Sequence, residues 1–290
     1  MSTLWRLTAQ ADFKTLANAV EKLDEAYPPI ALSWSLFDDT SPARLDVLFD
    51  NPPDEAQFRA ASGLAEDILA EIRPLPNEDW VRLSLEGLKP VNAGRFILYG
   101  EHDKQQLPEG KIGLEIEAGP AFGTGHHGTT KGCLLAFDEL LSAGETPAAI
   151  FDLGCGTAAL AIAAAKCLPD AEILASDIDP EAVEESRANA QKNATPGLDI
   201  FVAEGLDHPK LAGREFQLIF ANILAGPLVE LAPGIAKALA PQGRVILSGL
   251  LSEQEDWVRQ AYETAGLVVT RREPIEGWET LVAQRPAQAG

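Results

Sequence analysis

Along residues 1–86 the apolar positions change period several times. Residues 3–8 alternate, which predicts a short strand. Residues 11–26 place Phe13, Leu16, Ala17, Val20 and Leu23 at helical spacing, and Tyr27-Pro28-Pro29 breaks that helix. Residues 30–37 and 44–49 read as two strands around the turn-rich segment Asp38-Asp39-Thr40-Ser41-Pro42. A second helix is predicted over 54–71, with Phe58, Ala61, Leu64, Ala65, Ile68 and Leu69 on one face, and a last strand near 80–86. The order β-α-β-β-α-β is that of a small ferredoxin-like α+β domain, expected over 1–86. Two apolar runs, 95–100 and 111–119, bracket a charged loop and suggest a β-rich linker region over 87–120.

From residue 121 the pattern becomes an alternation. Strands are predicted at 148–153, 172–177, 199–204, 216–223 and 244–250, and helices at 129–141, 157–168, 180–193, 227–239 and 252–265. Repeated β-then-α order implies an α/β, Rossmann-like domain over 121–290, with a mostly parallel sheet and helices on both faces. Residues 267–273 and 278–284 are two strands without a helix between them, so the short loop makes them antiparallel.

The first strand of this domain runs into Asp152-Leu153-Gly154-Cys155-Gly156, with a helix predicted from Thr157. Glycines there permit a tight turn and let a ligand approach bare backbone, while the helix N-terminus offers N–H groups and positive potential. The third glycine of a dinucleotide fingerprint is replaced by Ala159. Asp177 follows Gly154 by 23 residues, at the end of the next strand. A carboxylate at that spacing suits a ribose diol. Asp179, just before Pro180, reads instead as a helix N-cap. A nucleoside ligand without a pyrophosphate, such as S-adenosylmethionine, fits this turn. A phosphate-binding α/β enzyme is the alternative, although the lysine of a P-loop is missing.

Ligands of open α/β sheets lie beyond the C-terminal strand ends. There stands Asn222, within Ala221-Asn222-Ile223-Leu224-Ala225-Gly226-Pro227. Its amide oxygen can accept a hydrogen bond from an amine and orient the lone pair, which makes Asn222 the candidate catalytic residue. The competing reading is a cap for the helix that follows. The glycine-rich segment Ala121–Thr130 precedes the first helix and could close over a ligand. Its His126 and His127 do not share a helical face, and no third ligand is near, so no metal is expected. A titrating base is the other role open to a histidine there. Asn51-Pro52-Pro53 is followed by Asp54 rather than a ring, and reads as a turn and helix start.

Charge and cysteines narrow the setting. The net charge is −21 and the pI about 4.5, which disfavours DNA and anionic lipid and suits a cationic partner. The three cysteines show no CxxC spacing, the N-terminus has no signal-like apolar core, and no apolar stretch is long enough to span a bilayer. A cytoplasmic location is expected.

Taken in order, Phe122-Gly123-Thr124-Gly125, His127, Thr129-Thr130, the Asp152–Gly156 turn, Asp177-Ile178-Asp179-Pro180, Asn222-Ile223-Leu224-Ala225 and Leu247-Ser248-Gly249-Leu250 resemble the PrmA family. These are bacterial methyltransferases of large-subunit ribosomal protein L11. The resemblance is close over the C-terminal domain and weaker before it. His126 and Gly128 depart from the threonine and proline common in the family. The resemblance implies a class I methyltransferase domain with a seven-stranded sheet, behind a ferredoxin-like domain that docks the ribosomal protein. It implies S-adenosylmethionine as methyl donor, and lysine side chains and the N-terminal α-amine of L11 as acceptors. Carried over by position, Thr130, Gly154, Asp177 and Asn222 would contact the cofactor, and Asp152 and Gly156 of the same turn are expected to be cofactor-binding as well. A monomer is expected. The alternatives are a methyltransferase of another basic protein or a small molecule, and a non-catalytic cofactor-binding module.

Overall fold

The computed structural model describes residues 4–25, 33–37, 42–49, 51–65, 68, 70–75, 90–100, 104, 108, 110–116, 127–275 and 277–287. The chain divides near Leu88 into two compact units.

The first unit contains β1 (Leu4–Ala11), α1 (Phe13–Glu25), β2 (Ser33–Phe37), β3 (Ala43–Phe49), α2 (Glu55–Ser62) and β4 (Ala70–Leu75). The strands form one antiparallel sheet in the order β2-β3-β1-β4. Leu7, Ala9, Leu45, Val47 and Phe49 are buried, as are Leu16, Val20 and Leu23 of α1 and Phe58 of α2. The rings of Phe49 and Phe58 meet edge to face with centroids 6.2 Å apart. Asp54 starts α2, its carboxylate accepting from Ala56 N and Gln57 N, which bears out the reading of Asn51–Asp54 as a helix start.

The predicted helix over 54–71 is a misreading past Ser62. Gly63 takes φ +70 and returns its N–H to Arg59 O, a left-handed cap that ends the helix. The Arg59 guanidinium then holds Ala65 O at 2.6 Å and Ile68 O at 2.9 Å, turning the chain into β4. The fourth strand is therefore 70–75. The strand predicted near 80–86 lies outside the described residues.

The second unit opens with β5 (Val91–Ala93), β6 (Phe96–Tyr99) and β7 (Ile112–Glu115), a small sheet in that order. It is less a linker than part of this unit. Phe96 stacks on Phe137 at 5.9 Å, Arg95 pairs with Asp138, and Asn193 exchanges two hydrogen bonds with the Glu115 backbone. There follow α3 (His127–Ser142), β8 (Ala149–Leu153), α4 (Ala159–Cys167), β9 (Glu172–Asp177), α5 (Pro180–Lys192), β10 (Asp199–Val202), β11 (Phe216–Asn222), α6 (Ala225–Ala238), β12 (Leu239–Leu251), α7 (Glu255–Thr264), β13 (Val268–Ile275) and β14 (Trp278–Gln284).

These strands form a seven-stranded sheet, β10-β9-β8-β11-β12-β14-β13. The first five are parallel, and β14 runs antiparallel to β12 and β13. Adjacent residues bury opposite faces. Ile150, Phe220, Ile246 and Val282 pack with α3, α4 and α5 residues such as Phe137, Ile162 and Val183. Phe151, Ile219, Val245 and Leu281 pack with Leu228, Ile235, Val258 and Tyr262 of α6 and α7. Burial on both faces explains why these strands are continuously apolar. Chain order runs outward from β8 in one direction and from β11 in the other. That is the topological switch point, where side chains beyond the strand ends face a crevice. Among the described residues, no helix is long and apolar enough to cross a membrane.

Candidate active site

The turn after β8 is built on positive φ angles: Gly154 at +67, Gly156 at +51 and Ala158 at +60. A Cβ on Gly154 would lie 2.3 Å from Ile223 Cγ2, so glycine is required there by both conformation and space. Ala158 is a non-glycine residue held in the same region, a local strain that packing must offset. The helix starts at Ala159, two residues later than predicted.

Asp177 closes onto this turn. Its Oδ2 accepts the Gly156 N–H at 2.8 Å and its Oδ1 the Asp179 N–H at 3.0 Å. Each oxygen keeps a further lone pair for a ligand hydroxyl. Asp179 caps α5 through Glu181 N with Pro180 next, as the sequence predicts. Asp152 occupies a different position from the other acid. It is 1% exposed, and its Oδ2 accepts the Ala161 N–H at 2.9 Å in the first turn of α4. Burial pushes its pKa up to about 7; the Ala161 hydrogen bond opposes that and the charge of Asp177 adds to it. Asp152 therefore supports the turn from beneath.

Asn222 ends β11, beside β8. Its Nδ2 donates to the Thr130 hydroxyl at 3.4 Å, joining two residues 92 apart in sequence. It does not cap α6: that helix begins at Ala225, and its N-cap is Leu224, without a side-chain bond. The following residue, Ile223, was not singled out by sequence reasoning. It fills the space beside Gly154, and its carbonyl oxygen lies 2.3 Å from where a Cβ on Gly249 would stand. Gly249 itself has φ +90. Two glycines thus clamp Ile223 and set the direction of Asn222. Ile178, 65% exposed beside Asp177, was also missed; an apolar residue between two turn acids was the available signal.

The segment Phe122–His126 lies outside the described residues, and His127 begins α3. Among the described residues, no group of three or more His, Cys, Asp or Glu is placed to hold a metal ion.

A bare turn, an anchored carboxylate, an exposed isoleucine and an amide meet at the switch point. Comparison with known proteins gives this arrangement a family. The family described as Ribosomal protein L11 methyltransferase (PrmA) matches residues 37–286. The chain is 44% identical over 272 residues to the Ribosomal protein L11 methyltransferase of Brucella suis (strain ATCC 23445 / NCTC 10510), covering 93% of each chain. It is 46% identical over 224 residues to that of Rhodopseudomonas palustris (strain BisB5), covering 77% of this chain and 75% of the relative. Among solved structures, the ribosomal protein L11 methylase of Lactobacillus delbrueckii subsp. bulgaricus superposes with a TM-score of 0.61 at 26% identity, covering 69% of this chain and 98% of that one. The fold is the α/β methyltransferase fold, and the chain belongs to the ribosomal protein L11 methyltransferase (PrmA) family.

Proposed function

We propose that this protein transfers methyl groups from S-adenosylmethionine to ribosomal protein L11, at lysine side-chain amines and the N-terminal α-amine. The observation that carries the reading is the placement of Asn222 and Thr130 beside the Gly154–Gly156 turn, in a chain matched by the family over 37–286.

The residues fit the donor. When bound, S-adenosylmethionine supplies a methyl group on a sulfonium cation. The Gly154–Gly156 turn has no Cβ at two of its positions, both at positive φ. Asp177, already oriented by two N–H groups, has lone pairs left for the ribose hydroxyls, and Ile178 offers an apolar face for the adenine. The Asp177 carboxylate beside the turn gives the site the sign that suits a cation.

Asn222 is the residue we assign to the acceptor. With Nδ2 donating to Thr130, its Oδ1 remains to accept an N–H of the incoming amine and turn the lone pair toward the donor. A free lysine has a pKa of ~10.4, so the site must take up the neutral form, aided by desolvation and by the neighbouring positive charge. Positioning of the two reactants can supply ~7–11 kcal/mol of the barrier reduction. The proton leaves to water, and no general base is required. The net charge of −21 steers a basic substrate inward.

We assign substrate recognition to the first unit, whose β-α-β-β-α-β order and β2-β3-β1-β4 sheet support a ferredoxin-like reading. The free thiols of Cys133, Cys155 and Cys167 support a reducing, cytoplasmic setting. Incubation with methyl-labelled S-adenosylmethionine and a mixture of purified ribosomal proteins tests the reading. Label is expected on L11. Label on another protein, or on none, overturns it.

A further inference from the structure

Helix α5 packs one face against the glycine turn, and that face is not uniformly apolar. Ala182, Val183 and Ala190 are buried there as expected, but so are Ser186, Asn189 and Asn193. Their spacing of three and four residues puts them on one stripe. A buried polar side chain is costly unless it is hydrogen-bonded, so each should have a partner that matters.

We propose that Ser186 and Asn189 are positioning residues for the cofactor: they hold the carbonyl oxygens of Gly156 and Thr157 inward so that the Thr157 N–H stays aimed at the ligand. This rests on reading that turn as the S-adenosylmethionine site. Ser186 Oγ donates to Gly156 O at 2.5 Å, and Asn189 Nδ2 donates to Thr157 O at 3.2 Å. The partners lie 30 and 32 residues away in sequence, so these are tertiary ties and not local helix bonds. Cys155 Sγ lies 3.4 Å from Ser186 Oγ. Because the single hydroxyl hydrogen goes to Gly156 O, the Cys155 thiol is the donor in that contact.

Peptide geometry turns these ties into a direction. The C=O and the next N–H of a planar trans peptide point opposite ways. Holding Gly156 O toward α5 therefore points the Thr157 N–H away from α5. Three N–H groups around it are already taken: Cys155 N by Ser176 O, Gly156 N by Asp177 and Ala158 N by Cys155 O. The Thr157 N–H has no acceptor among the described residues. It is a donor of the turn left for a ligand; the Ser186 bond fixes its aim, and the Asn189 bond holds the peptide that follows. Asn193 steadies the same helix end: its Nδ2 donates to Asn189 O and Glu115 O, and its Oδ1 accepts from Glu115 N.

The test compares Ser186→Ala, Asn189→Ala and the double variant with Val183→Ala, which removes buried apolar volume from the same helix but no hydrogen bond to the turn. Dissociation constants for S-adenosylmethionine are measured by calorimetry, melting temperatures on ligand-free protein, and kcat and cofactor KM by methyl transfer. Each single variant at Ser186 or Asn189 is expected to raise the dissociation constant and cofactor KM about tenfold, with kcat changing less. Val183→Ala is expected to lower the melting temperature at least as much while binding within about twofold of wild type. Equal binding by wild type and the Ser186 and Asn189 variants, or equal weakening by Val183→Ala, overturns the proposal and leaves the cofactor reading standing. A wild-type protein that binds no S-adenosylmethionine overturns both.

Discussion

The amide nitrogen of Asn222 donates to the hydroxyl of Thr130 at 3.4 Å, across the end of the sheet where β11 meets the first turn of α3. The bond fixes which side of the amide is left for a substrate. If Oδ1 aims the acceptor amine, Asn222→Ala should lower kcat about a hundredfold, with a smaller rise in the cofactor dissociation constant. Thr130→Val keeps the volume and removes the acceptor for Nδ2, so its loss should be smaller, about tenfold. Steady-state kinetics beside direct cofactor binding separate the two effects. Full activity of Asn222→Ala would remove it from the reaction.

The carboxylate of Asp177 is expected to be worth more than its shape. Asp177→Asn preserves the side-chain outline but weakens the contacts to Gly156 N–H and to any ribose hydroxyl. Charge-assisted hydrogen bonds contribute ~1.5–3 kcal/mol, so the cofactor dissociation constant should rise about tenfold to a hundredfold. Calorimetric titration checks this, and unchanged affinity would place the ribose elsewhere.

Gly249 is a second point of control over Asn222. Alanine there must adopt φ +90 and bring Cβ within 2.3 Å of Ile223 O, a backbone atom with little freedom. Gly249→Ala should cost about 2 kcal/mol of stability and lower kcat by displacing the Asn222-Ile223 segment. Urea unfolding and kinetics on the same preparation read both. Wild-type stability would show that the segment yields without strain.

Asp152 makes stability depend on pH. Its pKa rises from the model-peptide value of 3.8 to about 7 in the fold, chiefly through burial. The folded state therefore holds a proton that the unfolded state has lost between those values. Stability from this group is fullest at the acid end of that window and falls as pH rises through it. Asp152→Asn keeps an acceptor for the Ala161 N–H and cannot ionise. It should flatten the decline between pH 4 and pH 7, and exceed wild type at pH 8 by a few kcal/mol. Parallel slopes for the two proteins would show that burial does not hold the proton.

The sequence made the second unit legible because glycine punctuation and alternating periods coincide there. Gly154, Gly156, Asp177 and Asn222 could be named in advance for the same reason, since each sits at or just past the end of a strand; Thr130 came only from the resemblance to the PrmA family. The helix over 54–71 was overextended because Leu64, Ala65 and Ile68 continue an apolar period past Gly63, whose left-handed conformation no period records. The small sheet over 91–115 showed its apolar runs but not its partners, because Phe96 meets Phe137 across 41 residues. Ile223, Ser186 and Asn189 were silent for a related reason. Their importance comes from neighbours distant in sequence, and a serine or asparagine on a helix reads as surface until its burial is seen. Asp152 lies inside a recognisable motif, yet only the structure separates its buried, supporting place from the half-exposed one of Asp177.

The most direct test of the central claim is mass spectrometry of purified L11 after incubation with this protein and S-adenosylmethionine, read first as intact mass and then peptide by peptide. We expect mass increments of whole methyl groups on lysine side chains and the N-terminal α-amine, abolished without the donor and strongly reduced with Asn222→Ala. An unmodified L11, in the presence of a wild-type protein that binds S-adenosylmethionine, would contradict the assignment.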